Sequence, residues 1–154
     1  MRHGDAVSGG PGVDADRSLS PLGERQAETM GRMLAEVIAA TRQVLASPYT
    51  RARQTAERLL RAAGYDAGYR LEPQLAPGGS AVLLAESIDR LGAPRVWLVS
   101  HMPLVGALVD WLVDGTGHVV TRFDPADVVC LEAECWQPGC ARIAWRRQYR
   151  DYLA

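Results

Sequence analysis

Arg2, His3 and Gly4 stand side by side, and Arg51 and His101 repeat the same two chemistries further along the chain. Arginine carries a permanent charge on a planar fork of donors that matches phosphate oxygens two at a time. Imidazole is well populated in its neutral form near neutral pH and can then attack an electrophile through its free nitrogen. The glycine would permit a tight turn aiming both preceding side chains into a pocket. Two arginines and two histidines at one place could bind a phosphoryl group and hold its equatorial charge during transfer. Crowding by the two fixed cations is expected to push His3 toward its neutral, nucleophilic form. Taken singly, each residue has a plainer reading. His101 could be a hydrogen-bonded strand-end histidine, and Arg51 in Arg51-Ala52-Arg53 a solvated helical arginine.

These residues converge only if the chain folds so that strand ends meet. The segment from Asp5 to Leu19, with Pro11 in its middle, is polar and rich in Gly, Ser and Asp, and reads as a loop. Ser20 offers an N-cap and Pro21 a pre-set first helical position. Leu22, Met30, Met33, Leu34, Val37 and Ile38 follow helical spacing to about Ala39. Gln43 to Ala46 is a short β-compatible run ended by Ser47-Pro48. A second helix from near Tyr49 to Ala63 would bury Ala52, Ala56, Leu59 and Leu60 and stop at Gly64. Tyr69-Arg70-Leu71 is a short strand candidate and Pro77-Gly78-Gly79 a turn. Ser80 caps a third helix with Leu84, Ile88 and Leu91 on one face. The run from Arg95 to Ser100 predicts a buried strand with His101 at its carboxyl end. Pro103 opens a fourth helix, whose amino-terminal field would favour an anion. After a Gly115-Thr116-Gly117 break, Val128 to Ala133 and Ala141 to Trp145 predict a hairpin through Gln137-Pro138-Gly139.

Alternating strands and helices predict an α/β fold: a three-layer sandwich with a mainly parallel central sheet flanked by helices and a late antiparallel hairpin. Ligand chemistry in such sheets collects at the carboxyl ends of strands. His101 and Arg51 have that address directly; Arg2 and His3 share it only if a strand precedes them.

The 154 residues predict one domain, spanning 1–154, with 47% hydrophobic and 23% charged residues, ordinary for a soluble globular chain. A formal charge of −1 gives no footprint for nucleic acid or an anionic membrane. No apolar run approaches the roughly 20 residues needed to span a bilayer, so a cytoplasmic protein is expected. Cys130, Cys135 and Cys140 lack the close pairing of a zinc site and are read as buried or strand-surface thiols.

Four local contexts occur in order: Arg2-His3-Gly4-Asp5-Ala6, Leu19-Ser20-Pro21-Leu22-Gly23, Ser47-Pro48-Tyr49-Thr50-Arg51-Ala52-Arg53-Gln54-Thr55, and Val99-Ser100-His101-Met102-Pro103-Leu104-Val105. Together they resemble the histidine phosphatase superfamily, with its phosphoglycerate mutase-like fold, and within it the compact SixA-type phosphohistidine phosphatases. The resemblance covers nearly the whole chain. It implies that His3 is the nucleophile, that Arg2 and Arg51 clamp phosphoryl oxygens, and that His101 donates a hydrogen bond to them. It also implies hydrolysis of a covalent phosphohistidine by water, with no metal or organic cofactor. Larger relatives carry a lid and a carboxylate that protonates an alkoxide. Here the stretch from Ala63 to Ser80 is too short for a helical lid and holds only Asp66 and Glu72 as acids. Asp5 is the acid candidate nearest the nucleophile in sequence, and could equally order Arg2 or the loop.

An imidazole leaves far more readily than an alkoxide, because its conjugate acid has a pKa of roughly 6.5. That chemistry favours hydrolysis of protein phosphohistidine as the expected function, and the resemblance implies a role in signal transduction on a partner such as a phosphotransfer domain. The alternatives are a broad small-molecule phosphomonoesterase acting on phosphate esters, or a non-catalytic phosphate- or phosphoprotein-binding module. In the family the Arg-His-Gly motif ends a central strand, which this sequence lacks before Met1. That first strand is thus expected to be missing or truncated, with the true start upstream or the chain only marginally folded.

Overall fold

The computed structural model describes residues 1–9, 12–116 and 118–153; Pro11 of the first loop and Gly117 of the later break lie outside them. Helix α1 (Pro21–Met33) begins as its sequence requires, with the Ser20 hydroxyl accepting from Gly23 N at 3.1 Å. The helical pattern running to residue 39 is broken at Leu34, whose φ of −112° and ψ of 19° separate α1 from the short α2 (Ala35–Ala39). Leu22, Met33 and Val37 are exposed, so the apolar stripe narrows to Met30, Leu34 and Ile38.

Strand β1 (Gln43–Ala46) leads into α3 (Thr50–Ala63), which buries Ala52, Ala56, Leu59 and Leu60 and ends at Gly64 with φ 67°. The two-residue β2 (Arg70–Leu71) precedes α4 (Ala81–Leu91), capped by Ser80. There follow β3 (Val96–Val99), α5 (Leu104–Asp114), and the antiparallel pair β4 (Val128–Ala133) and β5 (Ala141–Arg147). Cys130 lies on β4, whereas Cys135 and Cys140 are exposed in the connecting turn rather than on a strand.

The parallel sheet has the order β2-β1-β3. Successive residues of β1 face opposite sides, as the pleat demands. Val44 and Ala46 pack with Met30, Ile38, Ala56 and Leu59 of α1, α2 and α3. Leu45 packs on the other face with Leu84, Ile88, Leu104 and Leu108 of α4 and α5. Helices thus cover both faces, and no helix among the described residues is long and apolar enough to cross a membrane. Only Trp97 and Val99 of β3 are buried; Val96 and Leu98 are half-buried.

Met1–His3 lies between β3 and the approach to β4. Met1 N donates to Leu98 O at 3.0 Å, Ser100 N to Met1 O at 3.0 Å, and His3 N to Ser100 O at 2.9 Å. On its other side Arg2 N donates to Asp127 O at 3.0 Å and Ala126 N to His3 O at 3.1 Å. Three residues therefore occupy the place expected for a first strand. Beside Met1 lies an apolar groove of about 650 Å³, lined by Val96, Leu98, Leu108, Val129, Leu131 and Trp145 among others. This groove is lined by none of Arg2, His3, Arg51 or His101.

Candidate active site

His3 ends the Met1–His3 stretch, His101 follows β3 after Ser100, and Arg51 is the second residue of α3, just past β1. The parallel order of β1 and β3 brings their carboxyl ends together, and the expected residues meet there. Arg51 Nε donates to His3 Nε2 at 3.2 Å, and the rings of His3 and His101 have centroids 4.9 Å apart.

The ring of His3 is oriented by its own backbone. Nδ1 lies 2.6 Å from Gly4 O, a partner that can only accept, so Nδ1 carries the hydrogen and Nε2 the lone pair. That lone pair is the one Arg51 Nε faces. His3 is pushed down to about 4, chiefly by burial, with the charges of Arg51, Arg2 and Arg17 adding to it. His101 falls to about 3, again mainly by burial and then by His3 and Arg51. Both imidazoles are neutral near neutral pH: the expected push on His3 from Arg51 and Arg2 is present, and desolvation of the charged ring is the larger cause.

Gly4 is needed for a reason other than a tight turn, for its φ is not positive. A Cβ on Gly4 would sit 2.6 Å from Gly23 O, and one on Gly23 only 1.9 Å from Asp5 O. The loop that follows His3 and the first turn of α1 touch backbone to backbone. Gly4 N also donates to Thr55 Oγ1 at 3.1 Å, and that hydroxyl donates to Arg51 O at 2.7 Å. The buried Thr55 thereby ties the loop of His3 to the helix carrying Arg51. Asp5 orders the loop: its carboxylate accepts from the Ser20 hydroxyl and its N–H donates to Gln26 Oε1 at 2.7 Å.

Arg2 spends Nη1 on Phe123 O at 2.7 Å, while its buried Nε has no partner among the described residues. His101 Nε2 meets the Ser47 hydroxyl at 2.8 Å, and Ser47 Oγ also accepts from Tyr49 N at 3.3 Å. The Ser47 hydroxyl, with one hydrogen and two lone pairs, can donate to or accept from His101 Nε2 while accepting from Tyr49 N, so it is compatible with either tautomer of the ring. Nδ1 is buried and has no partner among the described residues. Tyr49 packs edge-on against His101 at 5.3 Å, and the Arg51 guanidinium lies 5.1 Å from the Tyr49 ring centre.

Two residues of this cluster escape a reading of the sequence. Ser47 looks like a strand terminator before Pro48. Asp14 looks like one more polar residue of the first loop. Yet Arg51 Nη1 donates to Asp14 O at 2.6 Å and Arg51 Nη2 to Asp14 Oδ2 at 3.2 Å. The signal available for Ser47 is its place at a strand's carboxyl end; for Asp14 the chain offers only a carboxylate in a loop.

Comparison with known proteins bears on the family and the fold. Residues 1–76 match the model of the histidine phosphatase superfamily (branch 1). The chain is 33% identical over 118 residues to the phosphohistidine phosphatase SixA of Escherichia coli, covering 75% of this chain and 73% of that protein. It is equally 33% identical over 156 residues to an uncharacterized protein of Mycobacterium tuberculosis, covering 93% and 96% of the two chains. Among solved structures, the protein histidine phosphatase SixA complexed with tungstate superposes with a TM-score of 0.85 at 27% identity, covering 98% of this chain and 96% of that one. With the four motifs in order, the matching fold and these relatives, the chain belongs to the histidine phosphatase superfamily.

Proposed function

We propose that this chain hydrolyses phosphohistidine on the surface of a partner protein, through a phosphohistidine formed on its own His3. The observation that carries the reading is the tautomer of His3. With Nδ1–H held by Gly4 O, the lone pair of Nε2 lies within reach of the Arg51 guanidinium, beside a second neutral histidine. In the first step Nε2 forms a bond to phosphorus while the bond from phosphorus to the substrate imidazole breaks. The substrate ring, protonated from solvent on its other nitrogen, leaves as neutral imidazole with the electron pair on the departing nitrogen, a protonation that the free ring's pKa of roughly 6.5 makes easy. Arg2 and Arg51 hold the phosphoryl oxygens, and His101 Nδ1–H donates to one of them. Water then attacks phosphorus, the bond to Nε2 breaks, and phosphate leaves with the water's oxygen. Similarity to SixA of Escherichia coli, a phosphohistidine phosphatase by name, supports the same substrate class.

The phosphate-ester alternative would need a proton donor for an alkoxide. Asp14 is a carboxylate in contact with Arg51, but hydrogen bonds from Arg17 and Arg51 hold it below the usual carboxylate range, so it has no proton to give near neutral pH. That favours the better leaving group. The test is turnover of a radiolabelled phosphohistidine protein beside a simple phosphate ester, with an alkaline quench to trap acid-labile label on His3. His3→Ala should abolish release and label, whereas Arg53→Ala, on the exposed side of α3, should change turnover less than about threefold, as surface changes do. Comparable losses from both would refute the assignment. Phosphate binding that survives His3→Ala, with no turnover in the unaltered chain, would establish the binding-module alternative.

A further inference from the structure

The phosphoryl pocket is partly filled by the chain itself. The loop between His3 and α1 makes a 3-10 turn at Asp14–Asp16, which delivers Asp14 to Arg51. Both terminal nitrogens of the Arg51 guanidinium are spent on Asp14, one on its carbonyl oxygen and one on its carboxylate. The other carboxylate oxygen accepts from Arg17 Nη1 at 3.0 Å, while Arg17 Nε is anchored on Val7 O at 2.9 Å. One carboxylate thus bridges two guanidinium groups, one buried and one at the rim.

A phosphoryl group on His3 Nε2 requires those same donors. Arg51 Nε already faces Nε2 at 3.2 Å, so a phosphorus atom attached there brings its oxygens to this guanidinium. A phosphoryl group there brings a second anion against the Asp14 carboxylate on the same guanidinium, and like charges at contact repel. Asp14 is the one that can move: its side chain is 56% exposed, against 6% for Arg51. Once the carboxylate swings out, Arg17 Nη1 loses its partner while Nε keeps its backbone anchor. The charge of Arg17 is already felt at His3.

We propose that Asp14 is a resident anion that the substrate's phosphoryl group displaces, and that the exchange delivers Arg17 as a third phosphoryl-binding cation beside Arg2 and Arg51. The inference rests on the phosphoryl pocket of the proposed function but not on turnover. It makes Asp14 a brake on phosphate binding, and so a means of releasing product, since the returning carboxylate competes with phosphate for Arg51.

The test is titration of inorganic phosphate into the full chain by calorimetry at low ionic strength, with Asp14→Asn, Asp14→Ala, and Arg17→Gln in the unaltered and Asp14→Asn backgrounds. Asp14→Asn and Asp14→Ala should each bind phosphate about five- to tenfold more tightly, the scale of one partly exposed ion pair removed from competition. Arg17→Gln should then weaken phosphate by about tenfold in the Asp14→Asn background. Unchanged or weaker phosphate binding in both Asp14 variants overturns the displacement. An Arg17→Gln change without effect in the Asp14→Asn background overturns the third cation. Because Asp14→Asn keeps the size of the side chain, a fold lost in Asp14→Ala leaves the outcome readable. Tighter phosphate in the Asp14 variants of a chain that turns over neither substrate would refute the hydrolase reading and keep this one.

Discussion

Replacing Gly23 with alanine puts a methyl group where the loop after His3 already lies. The new Cβ would stand 1.9 Å from Asp5 O and 2.8 Å from Asp5 C. Reaching an ordinary carbon–oxygen contact of about 3.3 Å means parting the two backbones by about 1.4 Å. Neither side yields easily. Gly23 is fixed in the first turn of α1 by the Ser20 cap, and Asp5 lies two residues from His3. Gly4 O also holds the His3 ring, so the strain reaches Nε2. A misplacement of about 1 Å in a reacting group costs on the order of 10²-fold in rate. The control is Gly31→Ala on the same helix, whose Cβ would meet Leu59 O at 2.3 Å, remote from the pocket. Overpacking should cost each variant about 1–3 kcal/mol, offset by up to about 1 kcal/mol of helix propensity. For a chain of this size the melting temperature moves by roughly 2–4 °C per kcal/mol. Both variants should therefore melt a few degrees lower, but only Gly23→Ala should lose about a hundredfold in kcat/KM per folded molecule. If the two retain kcat/KM within about threefold of each other, the backbone contact does not position His3 and the reasoning fails.

Ser47→Ala should leave His101 Nε2 buried without its partner at an expected cost of about 1–3 kcal/mol, and free the ring to change tautomer. If His101 donates to the phosphoryl group as proposed, a fall of about tenfold in kcat, with KM little changed, is expected; an unaltered kcat would show that the tautomer is immaterial. The pH dependence of stability follows from burial. The two imidazoles titrate near 6.5 when unfolded and at about 4 (His3) and about 3 (His101) when folded. Between those values the unfolded chain binds more protons, so stability is full above about pH 6.5 and is lost as pH falls toward 4. Thermal melts from about pH 7 to 5 should show a shallower decline in His101→Asn than in the unaltered chain; equal slopes would mean that His101 is not buried in its neutral form.

Helix starts at Ser20 and Ser80 and the stop at Gly64 are local events, set by side chains that satisfy free backbone groups within one turn, so the chain announces them without its fold. The order of strands and helices follows from apolar periodicity for the same reason. Arg2, His3, Arg51 and His101 are legible too, because each sits in a local context of recognisable type at the end of a strand or the start of a helix. The break at Leu34 is not, since both halves keep helical spacing. What tertiary structure alone decided are relations between residues far apart in the chain. Thr55 joins the loop of His3 to α3, Ser47 orients His101, Gly4 and Gly23 touch through bare backbone, and Asp14 lies on Arg51. The neutrality of both histidines belongs to the same class. A sequence names the charges near an imidazole, but the loss of water around the ring exists only once the sheet and helices have closed over it.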